Sequence, residues 1–554
     1  MNLVKRSLGA LIPLFLFIVV ISGCSSDDTG SVDVEPAIVL SPKTLTLSEN
    51  ASGTLTLSIV PSKETAWEIS SKPDWVSVNL LSGIFRGEAI VLNISPITEG
   101  LYSGEYEGVI KITSNSLEAE VNVTLNIGEK ASMGSSESSL SFGYFEDEKS
   151  FYVKNEGNVA LDWSASIAES YISLIPQNSN LSPGDSIKVN AELDRSSLPT
   201  TVQDLELSIN SNKGQIIKIP LTYKNYKEEK WLLDGEIVDA EFDRIHDRLI
   251  VVSIGPNEIR KIDPATKSME TLQLNMTPTC LSVSRDGNFA VVGHDARVSY
   301  IDLNTMQLLN IFDVATDVFD IVLAPNNWAY AFPRSGQWER IHCVDLTTGI
   351  ETISTGNQIR EGTKAKLHPS GNFIYGSDNG VSPSDVEKYD ISAGTAHYLY
   401  DSPYHGDYSF DGDIWISDSG DKLVSRSRNI FKLTEDQATD IRYYGQLLGN
   451  QKIATLDIHT MANKIYVVME TGPIYQEVPS NTIQIFDAEY HEMTGTISLP
   501  GYLVPDGNGD GSMYDSQAHF GFFNNEGTAF YSLLRAPEEA GLASEWSLAT
   551  VLLD

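Results

Sequence analysis

Val283-Ser284-Arg285-Asp286-Gly287-Asn288-Phe289-Ala290-Val291-Val292 decides the fold of this chain. It joins the end of one extended run to a second apolar run through a turn centred on Gly287. The phrase recurs as Phe242-Asp-Arg-Ile-His-Asp247-Arg-Leu-Ile-Val-Val252 and as Leu367-His-Pro-Ser-Gly371-Asn-Phe-Ile-Tyr375. Seven turn positions of this kind run along the chain: Asp247, Gly287, Asn327, Gly371, Gly420, Asn463 and Gly527. Each is Gly, Asn or Asp, the residues that most readily accept a positive φ. The intervals are 40, 40, 44, 49, 43 and 64 residues, against the roughly 40–50 that a four-stranded propeller blade needs. Residues 229–554 therefore read as a seven-bladed β-propeller. Its last blade supplies only three strands, so Lys230-Trp-Leu-Leu233 is expected to provide the fourth and seal the ring edge.

Working outward, residues 37–128 and 135–225 show short runs of alternating apolar and polar residues, the pattern of half-buried strands in a sandwich. Trp67-Glu-Ile-Ser70 matches Trp163-Ser-Ala-Ser166, and Lys111-Ile-Thr-Ser-Asn-Ser116 matches Ser208-Ile-Asn-Ser-Asn-Lys213. Two tandem copies of one module explain both matches. The expected fold class is all-β: two tandem immunoglobulin-like β-sandwiches followed by the propeller. The first copy resembles the BACON family through Trp67 and Ile69, Pro73-Asp-Trp-Val-Ser-Val78, Ser82-Gly83 and Ile110-Lys-Ile-Thr-Ser114. The second, with Asn155-Glu-Gly-Asn-Val-Ala-Leu-Asp-Trp163 and Leu181-Ser-Pro-Gly184, looks more like the related ASPM/Hydin-type sandwich. The BACON resemblance implies carbohydrate binding or a spacer role. Trp67, Trp75 and Trp163 lie in alternating patterns in which an inward indole is the default.

Residues 1–23 have the layout of a secretory signal: Lys5 and Arg6, an apolar segment from Leu8 to Ile21, then Ile21-Ser-Gly-Cys24. The apolar segment is shorter than the roughly 20 residues that span a bilayer. The ending resembles the bacterial lipobox, which implies lipidation at Cys24. Ser25-Ser-Asp-Asp28 resembles the export tag of Bacteroidota surface lipoproteins, and residues 24–36 are expected to be a tether. The resemblance implies an outer-membrane, lipid-anchored protein exposed at the cell surface, with the periplasmic face as the alternative. The net charge of −37, from 75 acidic against 38 basic residues, excludes nucleic acid as a partner, because a phosphate backbone would be repelled. Cys280 and Cys343 sit in apolar runs and read as small buried hydrophobes. A disulfide between them cannot be deduced from sequence.

Within the propeller, Lys261-Ile-Asp-Pro-Ala-Thr266, Tyr300-Ile-Asp-Leu-Asn-Thr305 and Cys343-Val-Asp-Leu-Thr-Thr348 repeat an Asp followed by small polar residues, which caps the turn into the outer strand. Lys432 stands at the corresponding place in the fifth blade. This phrasing resembles the YVTN/lactonase-like and quinoprotein-type propellers. The long inter-blade loops open on the face opposite the seven turns, and that face is the expected site. Its candidate ligand residues are Arg334, Trp338, Arg360, Tyr404, His405, Asp407, Tyr408, Arg426, Arg428, Tyr475, Tyr502 and Tyr514, aromatics and polar groups suited to sugar rings and hydroxyls. Pro505-Asp506-Gly-Asn508-Gly-Asp510-Gly-Ser512-Met-Tyr-Asp515 matches the start of an EF-hand-like loop and suggests calcium on Asp506, Asn508, Asp510, Ser512 and Asp515. The twelfth-position Glu is replaced by Gln517. No catalytic motif is present. Of nine histidines, only His294, His405 and His519 suit a pocket.

Three functions follow. One is a lipid-anchored surface protein whose propeller binds a glycan or glycoprotein from a sandwich stalk. The second is a protein–protein scaffold of an outer-membrane complex. The third is a propeller lyase or lactonase acting on carbohydrate.

Overall fold

The computed structural model describes residues 35–199, 204–410 and 412–553, so the signal segment and Cys24 lie outside the described residues. The regular elements of the described chain are strands and two short 3-10 turns, Arg195–Ser197 and Glu538–Ala540, joined by turns and loops. No described helix is long and apolar enough to cross a membrane. The chain divides into two compact units, one of residues 35–140, 149–193 and 204–221, the other of 141–148, 194–199 and 222–553.

The first unit is built from two sandwiches of the same plan, each a four-stranded sheet facing a five-stranded one. In the first, Ala37–Ser41, Gly53–Val60, Ile90–Pro96 and Val76–Val78 make the smaller sheet. Thr44–Ser48, Leu117–Ile127, Gly104–Ser114, Thr65–Ser71 and Ser82–Phe85 make the larger. Alternation does the work: Leu55, Leu57, Leu92 and Ile94 of one sheet meet Ile110, Ile112, Val121 and Val123 of the other. Each such side chain contributes about 1.5–3 kcal/mol on burial. Trp67 belongs to this core, and Trp75 packs against it and against Tyr106. Trp163 is likewise buried in the second sandwich, as are Phe151, Val153, Leu207 and Ile209. Neither Trp67 nor Trp163 is available as a sugar platform.

The second unit is the seven-bladed β-propeller. Its first blade is Glu236–Asp243, Arg248–Ile254, Glu258–Asp263 and Ser268–Gln273. The second and third blades run on through one long strand, Gln307–Ala324. Its first part pairs with Arg297–Asp302 to finish the second blade, and Val318–Ala324 pairs with Trp328–Pro333 to open the third. The fourth, fifth and sixth blades begin at Lys364–Leu367, Ile414–Ile416 and Ile453–His459. The seventh comprises Gln517–Phe523, Ala529–Arg535 and Trp546–Leu552, completed by Lys230–Leu233. There Trp231 pairs with Leu548 and Leu233 with Trp546, and the ring is closed. Asp247, Gly287, Asn327, Gly371, Gly420, Asn463 and Gly527 have φ between 50° and 79°. These are the left-handed turns that join the innermost strand of each blade to the next.

The Asp of the repeated phrase caps its own turn in each blade that has it. Asp263 Oδ1 accepts from the N–H groups of Ala265 and Thr266, Asp345 from Thr347 and Thr348, and Asp487 from Glu489 and Tyr490. In the fifth blade the corner is made otherwise. Asp440 accepts the Thr434 N–H (2.8 Å) and reaches back to Lys388 Nζ of the fourth blade (2.7 Å), with the Tyr375 and Tyr400 hydroxyls donating to the same carboxylate. Cys280 and Cys343 are buried and free.

Candidate functional site

Innermost propeller strands run side by side without forming a ladder, so each leaves backbone N–H groups that need acceptors. Polar side chains on the inner strands supply them. Asp239 accepts from Leu281 N–H (2.8 Å) and Glu241 from Val283 N–H (2.7 Å). Ser282 accepts from Leu323 N–H, Asp320 from Ala365 N–H (2.8 Å), and Asp457 from Phe523 N–H (2.7 Å). One strand's side chain thus latches the next blade, and the central channel is lined with charge as a consequence. Arg244 closes this network by a bidentate pair with Asp457 at 2.5 and 2.6 Å.

Ser282 and Asp320 are buried and Asp239, Glu241, Arg244 and Asp457 only half-exposed, since the channel admits solvent but protein encloses it. Enclosure pushes the Glu241 carboxyl up to about 8 and also raises Asp239. Burial works to lower the ammonium groups of Lys364 and Lys366. Asp320 and Asp239 around the first, and Asp413 and Asp320 around the second, outweigh it and raise both.

The channel widens at the end that carries the seven left-handed turns into a cavity of about 540 Å³ to which all seven blades contribute. Most polar groups in its wall are committed to the latches, and three features stand apart from them. Arg285, exposed at the mouth, has no ion pair or hydrogen bond among the described residues. The nearest carboxylate oxygen to Lys366 Nζ, that of Asp413, lies 3.8 Å away. Trp415, half-buried, lines both this cavity and a deeper one of about 250 Å³ that also takes in His519. His519 Nε2 is buried without a partner, and burial lowers its pKa to about 4, so the ring is neutral at physiological pH. An indole wall beside the unpaired Arg285 and the loosely paired Lys366 is the composition of a polar-ligand pocket with one apolar face.

The face with the long loops gathers fewer of the expected groups than the sequence suggested, because most are already engaged. Arg334 pairs with Asp295 (2.8 Å), and Arg426 with Glu470 (2.5 Å). Arg428 donates to the carbonyls of Leu447 and Gly449. Trp338 and Arg360 are partners across a two-stranded ribbon, with the guanidinium over the indole at 5.9 Å. Tyr404, Tyr408 and Tyr443 pack on one another and on Phe431, with Tyr408 and Tyr443 stacked at 4.2 Å. Tyr475 is 95 % exposed at a loop tip, and Asp407 is exposed.

Two assignments are corrected outright. Tyr502 is buried, its hydroxyl held by Leu534 O, Glu545 O and Ser547, and cannot meet a ligand. His294 is buried with both ring nitrogens engaged, by Thr277 O and Ser299 Oγ. Tyr514 is half-buried against the core that surrounds Tyr502. His294, His405 and His519 do not share one site: the first is core, the second stands on the loop face and the third lines the channel.

Asp506–Asp515 is built as a β-hairpin, Tyr502–Pro505 pairing with Gly511–Tyr514. Asp506 Oδ1 accepts from the N–H groups of Asn508 and Asp510. Asp510 pairs with Lys224 (2.6 Å), and Asp515 accepts from Asn481. Asn508 and Ser512 lie within or beside the same hairpin. The three carboxylates of this loop do not form a group with ligand atoms within 4.8 Å of one another.

Set beside known proteins, the chain gives two positive findings. Residues 132–221 match the family model described as the viral BACON domain. The match falls on the second sandwich, whereas the sequence motifs had placed the BACON resemblance on the first and the ASPM/Hydin likeness on the second. No curated protein matches. Among solved structures, hydrazine synthase of Kuenenia stuttgartiensis is similar at 12% identity and a TM-score of 0.40, over 58% of this chain and 96% of that one. A likeness at that level carries nothing about activity.

Proposed function

We propose that this is a binding protein whose propeller takes a saccharide into the channel mouth at the end bearing the seven left-handed turns. The observation that carries the reading is the cavity of about 540 Å³ with Trp415 in its wall and Arg285 unpaired at its rim. An indole face offers stacking to the apolar side of a sugar ring. Arg285 and Lys366 favour a saccharide bearing a carboxylate or sulfate, which a chain of net charge −37 would otherwise repel. The BACON match at residues 132–221 supports a carbohydrate- or surface-binding role. In this reading lipidated Cys24 holds the protein at a membrane, with the sandwiches as spacers or accessory binding modules.

A glycan array probed with the full chain, and in parallel with Arg285→Ala, tests it. Binding concentrated on acidic glycans and weakened about tenfold in Arg285→Ala is the expected result, since a charge-assisted hydrogen bond contributes about 1.5–3 kcal/mol. An array silent with both proteins would count against a saccharide and for a protein partner.

A further inference from the structure

The fourth blade carries an arrangement that neither the channel nor the fold explains. Val386–Asp390 pairs with Phe373–Ser377 on one side and His397–Asp401 on the other, with Ser377 opposite Val386 and Glu387 opposite Asp401. One step beyond Ser377, Asp378 N–H donates to Asp385 O (3.0 Å), which sets those two residues opposite each other. Side chains opposite across a ladder, or two apart along a strand, share a face. Asp378, Asp385, Glu387 and Asp401 therefore all project from one face of the blade, as two directly opposed like-charge pairs. Such pairs destabilise a sheet unless something neutralises them.

His405, from the loop that follows, brings an imidazole to the same place. Its Nδ1 lies 3.1 Å from Asp385 Oδ2. The ligand atoms of Asp385, Asp401 and His405 all lie within 4.8 Å of one another, which among the described residues is the one such group of histidine, cysteine and acidic side chains. A second observation lies on the same face. Asp378 is only 5% exposed and its Oδ1 is buried with no hydrogen-bond partner, although the carboxylate also accepts from the Arg360 N–H and the Thr363 hydroxyl. Burial and the Asp385 charge raise its pKa, and burial and the Asp378 charge in turn raise that of Glu387.

We propose that Asp385, Asp401 and His405 ligate a divalent cation of the manganese–zinc kind, with water completing its coordination. Two carboxylates and an imidazole form a donor set that suits these ions better than calcium, which prefers oxygen alone. The site is separate from the Asp506–Asp515 hairpin.

Manganese uptake by the untagged full chain, followed by electron paramagnetic resonance, tests the assignment. One saturable equivalent is expected, displaced by zinc, with a nitrogen coupling from the imidazole in pulsed spectra. His405→Ala removes that coupling and weakens uptake at least tenfold, and Asp385→Asn weakens it similarly. Asp510→Asn leaves it unchanged. The His405 side chain is 65% exposed, so its variant keeps the metal-free melting temperature and separates lost ligation from lost folding. Absence of saturable uptake up to about 1 mM manganese, or a site indifferent to His405→Ala and Asp385→Asn, would overturn the proposal.

Discussion

At the scale of single residues, the molecule shows how one lost capping residue is replaced. Where other blades use an Asp followed by small polar residues, the fifth has Lys432, and its corner is held by Asp440 instead. That carboxylate is fully buried with Lys388, whose side chain is 1% exposed, and it also receives two tyrosine hydroxyls. Removing one partner of such a pair strands the other charge, which costs about 3–5 kcal/mol. Asp440→Ala is expected to lower the unfolding free energy of the propeller by that amount in urea titrations, while Asp440→Leu combined with Lys388→Met recovers much of the loss. Glu241 makes a second case. Its folded pKa of about 8 stands above its ordinary value near 4.5. Between those values the native state keeps a proton that the unfolded state has released, so stability falls as pH rises through the interval. Glu241→Gln should flatten that part of the stability–pH curve, measured as the urea midpoint from pH 4.5 to 8. An unchanged slope would mean that Glu241 is ionised in the fold. Neither residue was legible as special in the sequence. Asp440 lies in a polar loop with no repeat to mark it, and Glu241 reads as the solvent side of an alternating strand.

Elements were far more legible, for a physical reason. A left-handed turn is a local demand that only Gly, Asn and Asp meet cheaply, so all seven inner turns were visible from composition and spacing. The strand Lys230–Leu233 was legible as well, because an open ring edge needs a partner. Leu232→Pro tests that closure: a proline at a residue paired with Ser547 removes ladder geometry at the seam. We expect a lower melting temperature and loss of a single cooperative transition for the propeller. Retention of the parental melt would show that the ring holds without its closing strand. The site was the illegible part. Long loops rich in Tyr and Arg stand out in the sequence, but sequence does not tell a free loop tyrosine from Tyr502, which is buried with its hydroxyl held by Leu534 O, Glu545 O and Ser547. The missed signal lay in the inner strands: Asp239, Glu241 and Asp243, then Lys364 and Lys366, then Thr455 and Asp457 place polar residues at every second position. Seven such strands around one axis make a charged channel, and Trp415 stands out within them.

For the whole molecule, the ring places one broad cavity where seven turns converge and leaves the opposite loops to pack on themselves. The BACON match suggests a carbohydrate- or surface-binding role, and the channel mouth adds the exposed, unpaired Arg285 and the Trp415 indole from a separate part of the chain. The decisive measurement is the affinity of one array-selected glycan for the parental protein, Trp415→Ala and Tyr475→Ala, by titration calorimetry with folding confirmed by melting temperature. Loss of a stacking indole removes about 1–3 kcal/mol of contact. The account predicts affinity at least fivefold weaker for Trp415→Ala and unchanged for Tyr475→Ala, whose side chain stands free on the loop face. Unchanged binding in Trp415→Ala, with loss in Tyr475→Ala, would contradict it and move the site to the long loops.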